Sequence, residues 1–108
     1  MPTKVIEGTT SLTSTTETTL DAAQTVDGNY VLKLDLHNMV NGQELEVRIY
    51  DKVKTASAEA VVYYGFYAHV QAEPVVVSIP VPSTESWKAT IKKTAGANLD
   101  VDWVIILI

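Results

Sequence analysis

Tyr30-Val31-Leu32-Lys33-Leu34-Asp35-Leu36-His37 is the stretch that decides the fold. Tyr30, Leu32, Leu34 and Leu36 occupy every second position, and Val31, Lys33, Asp35 and His37 fill the others. Successive side chains of an extended strand point to opposite faces, so this period of two predicts a strand with one face buried and one wet. Asn38-Met39-Val40-Asn41-Gly42 follows and ends in Asn-Gly, a pair that tolerates positive φ and marks a turn. Beyond it Leu45, Val47 and Ile49 alternate with Glu44, Glu46, Arg48 and Tyr50. The two runs are expected to pair as a hairpin with a bulge or a connection wider than two residues.

Toward the C-terminus, Asp51 to Glu59 is a polar link with room for one helical turn around Ala56–Ala60. Val61-Val62-Tyr63-Tyr64-Gly65-Phe66-Tyr67-Ala68-His69-Val70 is apolar or aromatic on both faces. Such a strand must be covered on both sides or line an interface. Gly65 in its middle indicates a bulge or a close backbone approach. After the turn Gln71-Ala72-Glu73-Pro74, residues Val75, Val77, Ile79 and Val81 are expected to share one face of a strand. Pro80 and Pro82 lack amide donors, so its far end belongs at an edge or leaves the sheet. Trp87, Ala89 and Ile91 alternate with Lys88, Thr90 and Lys92. In the last strand Leu99, Val101, Trp103, Ile105 and Leu107 form one face. Asp100 and Asp102 begin the other, and Val104, Ile106 and Ile108 finish it.

Residues 1–27 differ from this pattern. They are rich in threonine, whose branched Cβ favours extended backbone, and they read as an extended arm or as edge strands at Val5-Ile6-Glu7 and Ser11-Leu12-Thr13. The sharper reading is an arm that reaches onto a neighbouring subunit. Residues 28–108 read as the body. No segment has a helical period, and the short strands separated by turn signals predict an all-β, antiparallel β-sandwich. Its strand order is expected to be jelly-roll-like, with an immunoglobulin-like order as the alternative.

The totals narrow the function. A chain of 108 residues with 46% hydrophobic residues can bury one core without disulfides or metals. A net charge of −5 and a single arginine, Arg48, argue against a surface that tracks nucleic-acid phosphates. The absence of cysteine removes disulfides and thiolate chemistry. The N-terminus shows no apolar signal core, and the longest apolar run, Trp103 to Ile108, is far short of a membrane span. The expectation is a soluble protein made in the cytoplasm, with no membrane and no nucleic-acid partner.

Chemistry is sparse. His37 and His69 have no motif-like neighbours, and no Gly-x-Ser-x-Gly is present, so no enzyme is expected. Asn98, Asp100 and Asp102 carry oxygens on one strand face but lack the glycine and the late glutamate of a calcium loop; a solvated acidic edge is expected, with no metal and no cofactor. Glu44 and Glu46 share a face that Lys33 or Arg48 should meet. The informative surplus is aromatic. One strand cannot point Tyr63, Tyr64, Phe66 and Tyr67 into one core, so a subunit interface is expected there, with Val104, Ile106 and Ile108 as a second apolar strip that also needs covering. The competing use is a stacking platform for sugars.

Three stretches, Val40 to Tyr50, Tyr67 to Pro74 and Val81-Pro82-Ser83, and the run Trp87 to Gly96 together resemble small β-rich structural proteins of tailed bacteriophages. The resemblance implies a virion component: a capsid decoration or auxiliary protein, or a small tail part, made in the host cytoplasm and located in the virion. Its partners would be a viral capsid or tail protein and further copies of itself, with a homo-oligomer, a trimer first, as the expected state. It brings no catalytic residues. The alternative is a monomeric carbohydrate- or peptide-binding β-sandwich module.

Overall fold

The computed structural model describes residues 2–108. Nine strands follow one another: β1 (Thr3–Leu12), β2 (Thr18–Thr19), β3 (Gly28–Asp35), β4 (Glu44–Asp51), β5 (Ala60–Ala68), β6 (Val75–Val77), β7 (Val81–Ser83), β8 (Trp87–Ala95) and β9 (Leu99–Leu107). They form two antiparallel sheets. The first has the order β1-β9-β3-β6, with β7 also pairing with β3. The second has the order β2-β8-β4-β5. The chain is all-β, and the two sheets pack face to face as a sandwich.

The core is made by the expected inward residues. Tyr30, Leu32 and Leu34 on β3, and Val101, Trp103 and Ile105 on β9, meet Leu45, Val47 and Ile49 on β4 and Trp87, Ala89 and Ile91 on β8 in one buried cluster. Burying each large apolar side chain contributes about 1.5–3 kcal/mol against leaving it in water. That gain offsets the conformational entropy of ordering the strands.

The expected hairpin between the Tyr30 and Leu45 runs does not form. β3 pairs with β9, β6 and β7, and β4 pairs with β5 and β8, so the two runs lie in opposite sheets. The physical reason lies in their identical patterning. Each has a fully apolar face, and placing one strand in each sheet lets the two faces cover the same core from opposite sides. The connection is an arch across roughly 10 Å, the usual sheet separation. Leu36 and Met39 are buried beneath it. Gly42 turns the chain with φ 96°, as the Asn-Gly pair indicated. The Gln43 side chain, itself buried, donates to the carbonyls of Ala97 and Asn98 and accepts from the amide of Val40. The arch is thereby tied to the β8–β9 connection.

Three smaller expectations also change. Val75 and Val77 face outward and Val76 packs on the core, and Ile79 is exposed while Val81 is buried. The strand breaks between β6 and β7 because Pro80 and Pro82 cannot continue the ladder, and Ser78 turns inward. Its hydroxyl accepts from the amide of Leu32, standing in for a missing strand carbonyl. The link between β4 and β5 holds a hydrogen-bonded turn, Ser57 N to Lys54 O, just before the helical turn anticipated at Ala56–Ala60. In β5 the register shift falls at Val62, where Ile49 pairs with Tyr63 and Tyr50 with Val61. Gly65 is a close-approach position instead: a Cβ there would sit 3.0 Å from the Tyr67 ring.

The threonine-rich segment docks on both sheets. β1 runs along β9 from the Thr3–Leu107 pair to the Leu12–Leu99 pair, and β2 with the Gln24–Trp87 bridge lines β8. The two short strands anticipated within residues 5–13 are one strand of 10 residues.

Candidate functional site

The alternation that fills the core also decides where the seven anticipated interface residues stand. Tyr63 and Tyr67 lean onto the core from the second sheet, half-buried, with their hydroxyls 3.3 Å apart. Burial, with the neighbouring Tyr63 hydroxyl, pushes the Tyr67 phenol well above its ordinary range. Tyr64 and Phe66 point the other way, onto the exterior of the second sheet, each 50% exposed. Val104 and Ile106 lie on the exterior of the first sheet, paired across the ladder with Lys33 and Val31 of β3, and Ile108 is exposed just past β9. The aromatic pair and the aliphatic strip are therefore on opposite outer faces of the sandwich and do not make one patch.

The strand that carries the aromatics has a special position. β5 is the last strand of the second sheet, bonded to β4 alone among the described residues. An edge strand presents unpaired amides and carbonyls, and proteins normally guard such edges with charge, proline, bulges or brevity. The other edges are guarded. β1 carries Lys4 and Glu7 and shifts register between Lys4 and Ile6. β2 has 2 residues. β6 has 3 residues and stands between Pro74 and Pro80, and β7 contains Pro82. β5 runs for 9 residues, AVVYYGFYA, without a charge or a proline, and its one irregularity is the register shift at Val62. Val61 and Val62 join Tyr64 and Phe66 among its exposed side chains.

Beside this edge the second sheet's exterior is polar and tightly paired. The Tyr64 hydroxyl donates to Glu46 Oε2 at 2.6 Å, and the Arg48 guanidinium reaches Glu46 Oε1 at 3.3 Å while lying 5.1 Å from the centre of the Tyr64 ring. The Tyr64 hydrogen bond, ahead of the Arg48 charge, holds the Glu46 carboxyl below its usual range. The expected partner of Glu46 is thus Arg48. Lys33 belongs to the other sheet and faces the other exterior. Further along, Tyr50 and Thr90 both donate to Glu17 Oε2 at 2.6 Å, and Lys88 reaches Glu59 at 2.7 Å with its ammonium 5.0 Å from the Tyr50 ring centre. The two hydroxyls, Thr90 first, lower the Glu17 carboxyl.

The first sheet's exterior holds an open depression of about 390 Å³ lined by Glu7, Lys33, Asp35, Val75, Asp102 and Val104. At one end Asp35, His37 and Asp102 bring ligand-type atoms within 4.8 Å of one another. The acidic pair here is Asp35 with Asp102, direct partners on β3 and β9, and not the Asn98, Asp100 and Asp102 set singled out in the sequence. Each carboxylate already has a partner: His37 Nδ1 lies 2.9 Å from Asp35, and Thr9 donates to Asp102 at 2.6 Å. His69, the other histidine, sits after β5 at φ 65° and accepts from the amide of Gly42 at 2.9 Å.

No protein-family model matches the chain, and no curated protein matches it. The fold is similar to that in the crystal structure of Yersinia pseudotuberculosis-derived mitogen (YPM), at a TM-score of 0.65 and 11% identity, over 100% of this chain and 88% of that one. At this identity the likeness to the mitogen is one of fold.

Two features of the surface were out of reach of sequence reasoning. Glu17 sits in the threonine-rich segment, and only the docking of that segment on β8 brings it to Tyr50 and Thr90. The Asp35–Asp102 opposition requires the β3–β9 pairing, between residues 67 positions apart in the chain.

Proposed function

We propose that this chain is a self-associating structural subunit of virion type, a capsid decoration or auxiliary protein of a tailed bacteriophage. The observation that carries the self-association is the 9-residue edge strand β5, uncharged and half-exposed, in a molecule whose other edge strands carry charge or proline or are 2–3 residues long. The resemblance of Val40–Tyr50 and Trp87–Gly96 to phage structural proteins supplies the setting, with a capsid or tail protein as the further partner. The strand order supports a jelly-roll-like reading. β1, β3, β6 and β9 fall in one sheet and β2, β4, β5 and β8 in the other, so the chain crosses the sandwich repeatedly. An immunoglobulin-like order would keep the first two strands together in one sheet. Fold likeness to a mitogen carries no activity across.

Light scattering on a sizing column tests the proposal. The unmodified chain should elute as a closed oligomer, and Phe66→Lys, which places a charge on the edge, should elute as a folded monomer. A monomeric unmodified chain would sink it.

A second reading is a carbohydrate- or peptide-binding module. The ledge of Tyr64, Glu46 and Arg48 favours it, because it sets an exposed ring beside a carboxylate and a guanidinium. A glycan panel tests it: binding lost in Tyr64→Ala supports it, and an empty panel rejects it.

A further inference from the structure

The β3–β9 ladder sets two like charges against each other. Asp35 and Asp102 are direct partners, and the register runs without a shift from the Tyr30–Leu107 pair to this one. Carboxylates directly opposite one another destabilise a ladder unless a positive charge lies between them. Among the described residues neither makes an ion pair with a lysine or an arginine. Glu7 adds a third carboxylate to the lining of the adjoining depression, and Lys33 is the one ammonium in that lining. The group set against the acidic pair is the His37 imidazole, with Nδ1 2.9 Å from Asp35 Oδ1. The hydrogen bonds leave one oxygen of each carboxylate open. The His37 amide and Nδ1 both approach Asp35 Oδ1, and the Thr9 hydroxyl donates to Asp102 Oδ1. Among the described residues no donor takes Oδ2 of either.

We infer that Asp35, His37 and Asp102 bind a divalent transition-metal ion of the zinc type, through His37 Nδ1 and one oxygen of each carboxylate. One imidazole with two carboxylates suits Zn2+ and its first-row neighbours, whereas Ca2+ takes about six to eight oxygens. Metal–ligand bonds of about 2.0–2.2 Å put two ligands of one ion about 3–3.5 Å apart. His37 and Asp35 already stand 2.9 Å apart. All three groups lie within 4.8 Å of one another, so the part-exposed side chains close on an ion by moving about 1–2 Å. The β3–β9 ladder holds the two aspartates rigidly. Thr9 is an outer partner that orients Asp102, and the depression leaves room for water to complete the coordination. His37 ligates through a deprotonated Nδ1, so binding shifts that proton to Nε2 or releases it to solvent. The bound cation relieves the opposition of the two carboxylates and links β3 to β9.

The chain has no cysteine and two histidines, which makes the assignment directly testable with Zn2+ alone. Calorimetric titration of the untagged chain should give one site per chain, and the melting temperature should rise with Zn2+ and fall back with EDTA. Loss of even an outer partner of a metal site costs about 10–100-fold in affinity, so His37→Ala and Asp102→Asn should each weaken Zn2+ binding at least about tenfold. His69→Asn should bind as the unmodified chain does; asparagine tolerates the positive φ at that position. In EDTA, Asp102→Asn should melt no lower than the unmodified chain, because it removes the opposed charge and keeps an oxygen for Thr9. A lower melt there would show that the two carboxylates do not repel, and would remove the reason for a cation. An unmodified chain that neither binds Zn2+ nor melts higher in it would leave the His37 imidazolium as the only counter-charge and overturn the site. Binding that survives undiminished in both His37→Ala and Asp102→Asn, or that is lost in His69→Asn, overturns it as well.

Discussion

Tyr30 of β3 and Trp87 of β8 stack across the interior, ring centroids 5.3 Å apart and planes 22° from parallel. The pair joins one sheet to the other, and both rings are almost wholly buried. The Trp87 indole N–H has no hydrogen-bond partner among the described residues. Trp87→Phe removes contact area but also an unmatched donor, so it should cost about 1–2 kcal/mol, whereas Trp87→Ala leaves a cavity and should cost about 3–5 kcal/mol. Urea melts of the two variants check this. Equal losses would mean that the indole donor is satisfied in solution.

Gln43 is the polar residue on which the β3–β4 arch depends. Its amide bonds three main-chain groups, Val40 N, Ala97 O and Asn98 O. Gln43→Ala should cost about 2–3 kcal/mol, and its amide exchange should quicken at residues 38–43 and 96–98 before the rest of the sandwich. Uniform exchange across the chain would show that the arch is not a separate unit of stability.

Gly8 leaves room for Trp103. A Cβ at Gly8 would stand 2.9 Å from the indole ring, whose N–H donates to Thr10 Oγ1 at 2.9 Å and so resists displacement. Gly8→Ala should destabilise by about 1–3 kcal/mol, the usual cost of overpacking, despite the better strand propensity of alanine. A thermal melt at or above that of the unmodified protein would contradict the close approach.

Glu17 should make stability pH-dependent. Thr90 and Tyr50 hydrogen bonds lower its folded-state pKa below the ordinary glutamate value of 4.5. A depressed carboxyl pKa means that the unfolded chain binds the proton more tightly. The stabilising contribution is therefore complete above about pH 4.5 and disappears as the pH falls through the lower, folded value. Glu46 and Asp35 are depressed as well, so the comparison must be with Glu17→Gln. Between neutral pH and about pH 3 the unmodified protein should lose more melting temperature than Glu17→Gln does. Parallel losses would remove Glu17 from the acid response.

The inward faces are legible in the alternation of the residues alone. Tyr30, Leu32 and Leu34, then Leu45, Val47 and Ile49, then Trp87, Ala89 and Ile91, then Leu99 to Ile105 all point where the period of two puts them. Alternation misleads where it is uninformative. Val75-Val76-Val77 is apolar at every position, so the facing of that strand depends on its neighbours, and on Ser78 bonding Leu32. The aromatic run is recognisable as two-faced, but not as an edge.

By itself, then, the sequence determined that the chain is all-β, which residues face inward and where it turns, because those properties follow from the local period of two and from the φ tolerance of Asn-Gly. The tertiary structure decided which strands are neighbours. Ladder hydrogen bonds are made by main-chain groups common to every residue, so they do not say that β3 should pair with β9 and not with β4. That choice comes from closing one core with several similar apolar faces at once. The same choice set Asp35 opposite Asp102, carried Glu17 to Thr90 and Tyr50, separated Tyr64 and Phe66 from Val104 and Ile106 by the thickness of the sandwich, and left β5 at the edge.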